Sequence, residues 1–199
     1  MQLLFADQLG QHFDLGGEIL LPEVLSQFRK RRYHRQKAHL TLYAIRARAR
    51  DERVNLIQLD NYRDLAERTD LEVAVSPTSR PMLAMAESLN IEIKAARGFC
   101  SSKSQFQDFA GDKKRLRLED FYRQQRSRLG VLMEGSDPIG GQWNFDESNR
   151  LPPPKSGLGL TDPWAPLEDE LDAEVRSTLD ELEASGVEFT GSDGYPLPL

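Results

Sequence analysis

Short apolar runs alternate with helically spaced segments along the first half of the chain, and this alternation limits the folds open to it. Continuous apolar runs at residues 3–6 and 19–21 are typical of strands buried on both faces. Further strand candidates lie at residues 54–59, 71–75 and 91–93. Repeated β–α units favour a parallel sheet with right-handed crossovers. We therefore predict an α/β fold, a Rossmann-like parallel five-stranded sheet with helices on both faces.

The helices between these strands are located by their apolar spacing and by their caps. One is predicted at residues 36–50 and a short one at residues 62–67. A third is predicted to begin at Ser79, because a capping serine followed by Pro81 in the first turn is a helix start signal.

A further helix is predicted at residues 118–129. We expect its buried side to consist of Phe121, Tyr122 and Leu129, and its arginines to be exposed or paired. Gly130 is expected to end it, because glycine adopts the left-handed conformation that closes a helix.

The composition changes near residue 150, since seven of the eleven prolines follow it. Before this point, Trp143 and Phe145 are expected to anchor an ordered loop. After it, an acidic amphipathic helix follows a Pro-rich connection, and its apolar stripe needs a partner: Leu171, Val175, Leu179 and Leu182. We predict three parts: a Rossmann-like α/β domain at 1–135, an ordered Gly/Pro/Trp loop and connector at 136–166, and the acidic helix with a truncated interdomain segment at 167–199.

Basic residues are concentrated in one stretch of the chain. Residues 29–50 contain nine Lys or Arg and no acid, although the whole chain has a net charge of −6. A contact with nucleic acid or with a phosphate-bearing ligand would explain this stretch. A helix face that pairs with the acidic residues after Asp162 would explain it as well, and we favour this second explanation.

The residue content argues against several classes of function. Cys100 is the only cysteine, so this chain by itself forms no disulfide, CxxC pair or four-cysteine metal site. The phosphate-loop, zinc-protease and nucleophile-elbow patterns are absent, and the three histidines lack a metal-binding spacing. We predict no catalytic residue and no metal ligand. No apolar run approaches the ~20 residues of a membrane span, and we predict a cytoplasmic protein without a membrane partner.

Polar residues follow the first two predicted strands. Asp7 and Gln8 come after the first strand, and Glu23 lies at the end of the second. Ligands of open parallel sheets bind outside the carboxyl ends of the strands, so we expect these side chains to line one crevice. Gln27 and Lys30 would form its rim. Capping and loop anchoring explain the same residues equally well.

Two segments resemble a known family. The sequences LLFADQL at residues 3–9 and FYRQQRSRLGVLMEGSDPIGGQWNFDESNR at residues 121–150 are similar to matching stretches of the deoxyribodipyrimidine photolyase-related family. This family comprises iron–sulfur bacterial cryptochromes and six-four photolyases. The similarity spans residues 1 to about 152 and is to the amino-terminal, antenna-type domain. The length and specificity of the second segment argue against a chance match.

The resemblance implies a flavoprotein that repairs ultraviolet-damaged pyrimidines or senses blue light. It implies a dimethyl-ribityl-lumazine antenna in the first domain, which passes excitation energy to FAD. It places FAD and a four-cysteine iron–sulfur cluster in a following helical domain. The chain stops at Leu199, close to where that domain begins in the family. We therefore expect the flavin domain to be a missing partner, damaged DNA to be contacted only through the complete protein, and this chain alone to be inactive.

The antenna pocket of such relatives coincides with the crevice described above. Carried over position by position, the resemblance assigns seven residues to it: Ala6, Asp7, Gln8, Pro22, Glu23, Gln27 and Lys30. The chain departs from the family at four of these positions. Ala6 stands where Gly is expected, Pro22 where Cys is expected, Gln27 where Glu is expected, and Lys30 where an aromatic residue is expected. A lost carboxylate and a lost stacking ring each remove about 1 kcal/mol or more of binding free energy. These departures predict weak lumazine binding or a different ligand.

Two other functions are compatible with the residues. One is a stand-alone α/β module that binds a small ligand or a protein and has lost the antenna. The other is an independent hydrolase or transferase, which only the carboxylates of Asp7 and Glu23 support.

Overall fold

The predicted strands form one parallel sheet in the computed structural model, which describes residues 1–146, 152, 155–157 and 169–192. The strands are β1 (Gln2–Leu3), β2 (Ile19–Val24), β3 (Val54–Leu59), β4 (Val73–Val75) and β5 (Glu92–Lys94). Their order is β3-β2-β1-β4-β5, and all neighbours are parallel. The predicted fold class is confirmed. The chain adds strands first on one side of β1 and then on the other, so the topological switch point lies between β1 and β4.

Short and long helices connect these strands. They are α1 (Gln27–Lys30), α2 (Arg35–Arg48) and α3 (Arg80–Ser88), with 3-10 helices at Gln11–Phe13 and Tyr62–Glu67. The start of α3 is as predicted, because the Ser79 hydroxyl accepts a hydrogen bond from the Met82 backbone N–H at 3.3 Å. α2 begins after His34, whose side chain accepts from the Gln36 N–H, and it ends two residues earlier than predicted.

Alternate residues of the central strands pack on opposite faces of the sheet. Leu3 and Phe5 belong to one buried cluster, which includes Ala86 of α3. Leu4 belongs to a second cluster, which includes Ile45 of α2. All six residues of β2 are buried. Both faces are therefore covered, which explains why these strands are continuous apolar runs rather than alternating ones.

By its internal contacts the chain divides into two compact units, residues 1–98 with 164–199 and residues 99–163. We call them the first and the second unit. Much of the predicted connector at 136–166, including its Pro-rich part, lies outside the described residues. The predicted domain boundaries therefore stay a prediction.

The second unit contains two helices and a hairpin: α4 (Lys103–Ala110), α5 (Leu118–Leu129), β6 (Met133–Glu134) and β7 (Asp137–Pro138). α5 ends at Gly130 in the left-handed conformation, as predicted. The prediction of its buried side was wrong for Tyr122 and Leu129, which are each 42% exposed, whereas Arg126 is only 7% exposed. The side chain of Arg126 can be buried because backbone carbonyl groups of the same unit accept its hydrogen bonds.

The acidic helix predicted near the carboxyl end is α6 (Glu170–Ala184). Its apolar stripe, 6% exposed or less, packs in one cluster with Phe28, Ala38 and Leu42 of α1 and α2. Asp169 caps the helix and accepts a hydrogen bond from the Asp172 backbone N–H at 2.8 Å. The stripe thus finds its partner within the first unit.

Candidate functional site

The switch point between β1 and β4 carries polar side chains that tie the two strand ends together. The Thr78 hydroxyl donates a hydrogen bond to Oδ2 of Asp7 at 2.5 Å. Gln8 is fully buried, and its Nε2 donates to the carbonyl oxygens of Val75 at 3.2 Å and Ser76 at 3.1 Å. Its Oε1 is also buried and has no hydrogen-bond partner among the described residues. The site therefore retains one unused acceptor, the kind of group that a ligand donor can satisfy.

Tyr62 lies close enough to Asp7 for the carboxylate to influence its ionisation. Burial raises the pKa of Tyr62 to about 12, and the negative charge of Asp7 contributes to the rise. The Tyr62 hydroxyl is therefore neutral at neutral pH and can act as a hydrogen-bond donor. Our sequence reasoning did not select Tyr62 or Thr78. Both follow a strand of the sheet, so the rule that located Asp7 would have found them if it had been applied to β3 and β4.

Glu23 is enclosed in the protein, with 0% exposure. Arg46 donates to both of its oxygens, from Nε at 2.8 Å and from Nη2 at 3.0 Å, and Gln58 Nε2 donates to Oε1 at 2.9 Å. Arg46 Nη1 also donates to Glu174 at 2.9 Å and to Thr178 at 3.0 Å. The hydrogen bonds to Glu23 raise the pKa of Arg46 although burial opposes the rise. The Glu23 carboxylate thus anchors β2 to α2, and through Arg46 to α6.

The remaining predicted site residues lie in different environments. Ala6 is partly exposed after β1, and Pro22 is buried within β2. Gln27 is half-buried at the start of α1, and Lys30 is exposed at its end. The structure therefore joins Asp7 and Gln8 to β4, whereas the donors around Glu23 close its carboxylate off from solvent. The assignment of the seven residues to a chromophore pocket stays a prediction.

The basic stretch pairs with the acidic helix, as we favoured. Arg35 contacts Asp180 at 2.5 Å and Glu183 at 2.7 Å. His39 Nε2 lies 2.9 Å from Oδ1 of Asp172. With the ion pairs of Arg46 and Arg48, the contacts of Arg35 confirm that much of the positive charge of α2 is compensated within the first unit.

A groove of about 900 Å³ opens on the second unit. Its apolar lining comes from α5, the hairpin and the segment that follows: Leu118, Tyr122, Leu132, Ile139, Trp143 and Phe145. Leu118 is 84% exposed, so this apolar surface faces solvent. Glu119 and Asp146 add two carboxylates to the lining. All these residues belong to or adjoin the segment 121–150 singled out in the sequence.

Arg126 holds the walls of this groove in place. Its guanidinium donates to the carbonyl oxygens of Val131 at 3.3 Å, Leu132 at 2.5 Å and Trp143 at 3.1 Å. The same group lies 5.4 Å from the centroid of the Trp143 ring, within the range of a cation–π contact. Trp143 is therefore an anchor of this loop, as predicted, whereas Phe145 is 51% exposed.

Within the described part of the chain, no helix has the length and apolar character needed to cross a membrane. The same residues contain no cluster of three or more His, Cys, Asp or Glu side chains placed to hold a metal ion. The cytoplasmic location and the absence of catalytic residues stay predictions.

A comparison with family models establishes the family to which this chain belongs. The family model described as deoxyribodipyrimidine photo-lyase-related protein matches residues 2–193, and the chain belongs to this family. A (6-4) photolyase from Agrobacterium fabrum is 39% identical to the chain over 100 residues. This match covers 50% of the chain and only 19% of the photolyase, so the matched segment spans about a fifth of that relative. The resemblance seen in the sequence is confirmed.

Proposed function

We propose that the chain is the amino-terminal scaffold of a photolyase- or cryptochrome-like flavoprotein, and that the groove of the second unit receives the flavin-binding part. The exposed apolar lining of this groove carries the proposal. Among the described residues, ten of the twelve exposed large hydrophobic side chains belong to the second unit. Large exposed apolar patches mark interaction sites, so the excess on this unit favours a partner there.

The flavin-binding part is the occupant that the family supports. In the complete protein, FAD and the iron–sulfur cluster belong to that part, and damaged DNA is contacted through the complete protein. This chain alone is inactive in repair under the proposal. The activity of the complete protein is either the light-driven repair of ultraviolet-damaged DNA or the sensing of blue light.

Co-expression of the chain with the flavin-binding part of the (6-4) photolyase tests the scaffold role. We expect the two to co-purify with the absorbance of bound FAD. Leu118→Glu should reduce co-purification at least about tenfold, because it places a charge in an apolar interface. Leu116→Glu is the matched control, since Leu116 is 48% exposed in the same unit but does not line the groove.

Two outcomes would contradict this role. The first is a chain that does not co-purify with the flavin-binding part at all, which is what the stand-alone α/β module predicts. The second is an equal loss of co-purification in the Leu116 and Leu118 variants, which would show that the groove has no special part in the association.

We propose an antenna site at the switch point as a second candidate function, because Gln8 Oε1 is buried there without a partner among the described residues. Asp7 and Gln8 would hold a dimethyl-ribityl-lumazine there, without a contribution from Glu23, whose carboxylate is already saturated by Arg46 and Gln58. When bound, the lumazine absorbs light and passes the excitation energy to the flavin. The role of the chain is to bind and orient it.

A titration with dimethyl-ribityl-lumazine, followed by lumazine fluorescence, tests the antenna site. We expect saturable binding. We expect Gln8→Leu to weaken it about tenfold, since leucine lacks the side-chain amide oxygen that would accept a hydrogen bond from the ligand. Gln58→Leu is the control, because Gln58 donates to Glu23 rather than to the switch point. A chain that leaves the lumazine spectrum unchanged at every concentration lacks the site.

A further inference from the structure

A second cavity, of about 340 Å³, lies on the first unit between the end of α1 and the end of α6. Four consecutive cationic residues, 29–32, line it opposite Gly186, Val187 and Glu188. The chain after α6 is held beside α2, because the Thr190 N–H donates to the Tyr33 carbonyl at 2.8 Å and the Arg35 N–H donates to the Thr190 carbonyl at 2.9 Å. Backbone hydrogen bonds therefore fix both sides of the cavity.

The lining carries an excess of positive charge. Four cations and the single carboxylate of Glu188 leave an excess of three charges. Arg32 lies 3.2 Å from Glu188, and Arg29 donates to the neutral hydroxyl of Ser185 at 3.1 Å. Lys30 and Arg31 are exposed and have no hydrogen-bond or ion-pair partner among the described residues. The pairing with α6 that compensates Arg35 thus does not extend to the cavity.

The neighbouring helix increases the positive potential. α2 begins at Arg35, three residues after Arg32, and its own first turn contains no acidic residue. The carboxylates of Asp180 and Glu183 lie at this end of α2 and pair with Arg35. Acidic side chains stabilise the amino-terminal end of a helix, where the backbone dipole is positive, and like charges close together repel. A bound anion would offset both effects. Because the whole chain has a net charge of −6, the positive potential is a local property of the cavity and not of the whole surface.

We propose that this cavity binds a small ligand that carries a phosphate group. Arginine forks and lysine ammonium groups are the side chains that bind phosphate oxygens in proteins. The volume is at the lower end of the range for small-molecule sites, about 300–1,000 Å³. A nucleic acid backbone fits less well, because a cavity of about 340 Å³ holds only a small group and the chain as a whole has a net charge of −6. The site is independent of the proposed scaffold function.

Isothermal titration of the full chain with pyrophosphate at low ionic strength tests the phosphate site. We expect saturable binding at one site, and binding of inorganic phosphate that is weaker but competitive. The double variant Lys30→Gln with Arg31→Gln should weaken pyrophosphate binding at least about tenfold, because it removes two charge-assisted donors. Glu188→Gln should tighten binding about two- to fivefold, since it removes the carboxylate that competes for the cations.

Arg63→Gln is the control for a loss of surface charge, because Arg63 is exposed and lies outside the cavity; it removes one positive charge where the double variant removes two. We expect its dissociation constant to stay within about twofold of the wild-type value. A loss as large as in the double variant would show a general charge effect and overturn the proposal. So would a failure of Glu188→Gln to tighten binding, the lack of saturable pyrophosphate binding, or tighter binding of a single-stranded oligonucleotide than of pyrophosphate. The gain expected for Glu188→Gln cannot be produced by misfolding.

Discussion

At the scale of single residues, the ion pair of Glu23 and Arg46 shows how a polar group can be placed in the interior of this protein. Both side chains are almost completely buried, and two hydrogen bonds join the guanidinium to the two carboxylate oxygens. Gln58, Glu174 and Thr178 satisfy further donors and acceptors of the pair. Removing charges from water costs free energy that a complete network offsets, whereas a broken pair leaves one charge uncompensated.

Arg46→Met is therefore expected to lower the free energy of unfolding by about 3–5 kcal/mol, because Glu23 then stays buried without its cation. Urea unfolding measures this loss. The double variant with Glu23→Leu serves as the comparison and should recover part of the loss, since it removes the stranded carboxylate. If Arg46→Met unfolded at the wild-type urea concentration, the pair would not have the anchoring role assigned to it.

At the scale of elements, α6 is joined to α2 by an apolar stripe and by a polar contact at its first turn. The Tyr43 hydroxyl donates to Oδ2 of Asp169 at 2.8 Å, and the Asp172 N–H donates to Oδ1 of the same carboxylate. The backbone hydrogen bond from Asp172, followed by that from Tyr43, lowers the pKa of Asp169 below its ordinary value of 3.8. The hydrogen bond to Asp169 raises the pKa of Tyr43.

These shifts predict how acid affects the docking of α6. Folding lowers the pKa of the Asp169 carboxyl group, so its charged form stabilises the folded state at pH values above the ordinary pKa of 3.8. This stabilisation is lost as the pH falls through the lower pKa of the folded state. Asp169→Asn keeps a capping side chain but removes the charge. We expect the wild-type melting temperature to fall more than that of Asp169→Asn between pH 7 and pH 3. Equal shifts in the two proteins would contradict the prediction.

At the scale of the whole molecule, the two units differ in how much apolar surface they bury. Apart from Pro138, every buried apolar side chain among the described residues belongs to the first unit, from Leu3 to Val187. The second unit relies on aromatic contacts, in which the ring centroid of Phe121 lies 5.3 Å from that of Phe106 and 5.0 Å from that of Phe109. It also relies on the hydrogen bonds of Arg126. A unit with few buried apolar contacts opens locally at a low free-energy cost.

Amide hydrogen exchange is expected to show this difference directly. Peptides from α5 should exchange at least about tenfold faster than peptides from β2, which is buried along its whole length. Binding of the flavin-binding part should slow exchange in α5, because it would cover Leu118 and Tyr122. Equal protection of α5 and β2 in the isolated chain would show that the second unit has a stability that its burial does not explain.

The elements that the sequence predicted well are those specified by local spacing. The apolar run at 19–21 lies within β2, the run at 3–6 overlaps β1 at Leu3, and the cap at Ser79 is the start of α3. Spacing also predicted the buried stripe of α6, although not its partner. Arg46 could have been recognised as buried, since it lies four residues after Leu42 and eight after Ala38 on the buried side of α2.

The sequence by itself determined the family and the parallel α/β fold, and it favoured the pairing of the basic stretch with the acidic helix, because periodicity, residue pattern and charge are properties of the chain that folding preserves. Only the tertiary structure decided which polar groups are enclosed and which stay available. Glu23 is saturated by Arg46 and Gln58, whereas Lys30 is left without a partner among the described residues. The reason is that a polar side chain is enclosed or exposed according to the donors and acceptors that distant parts of the chain bring to it. The local spacing of residues does not predict which groups these are.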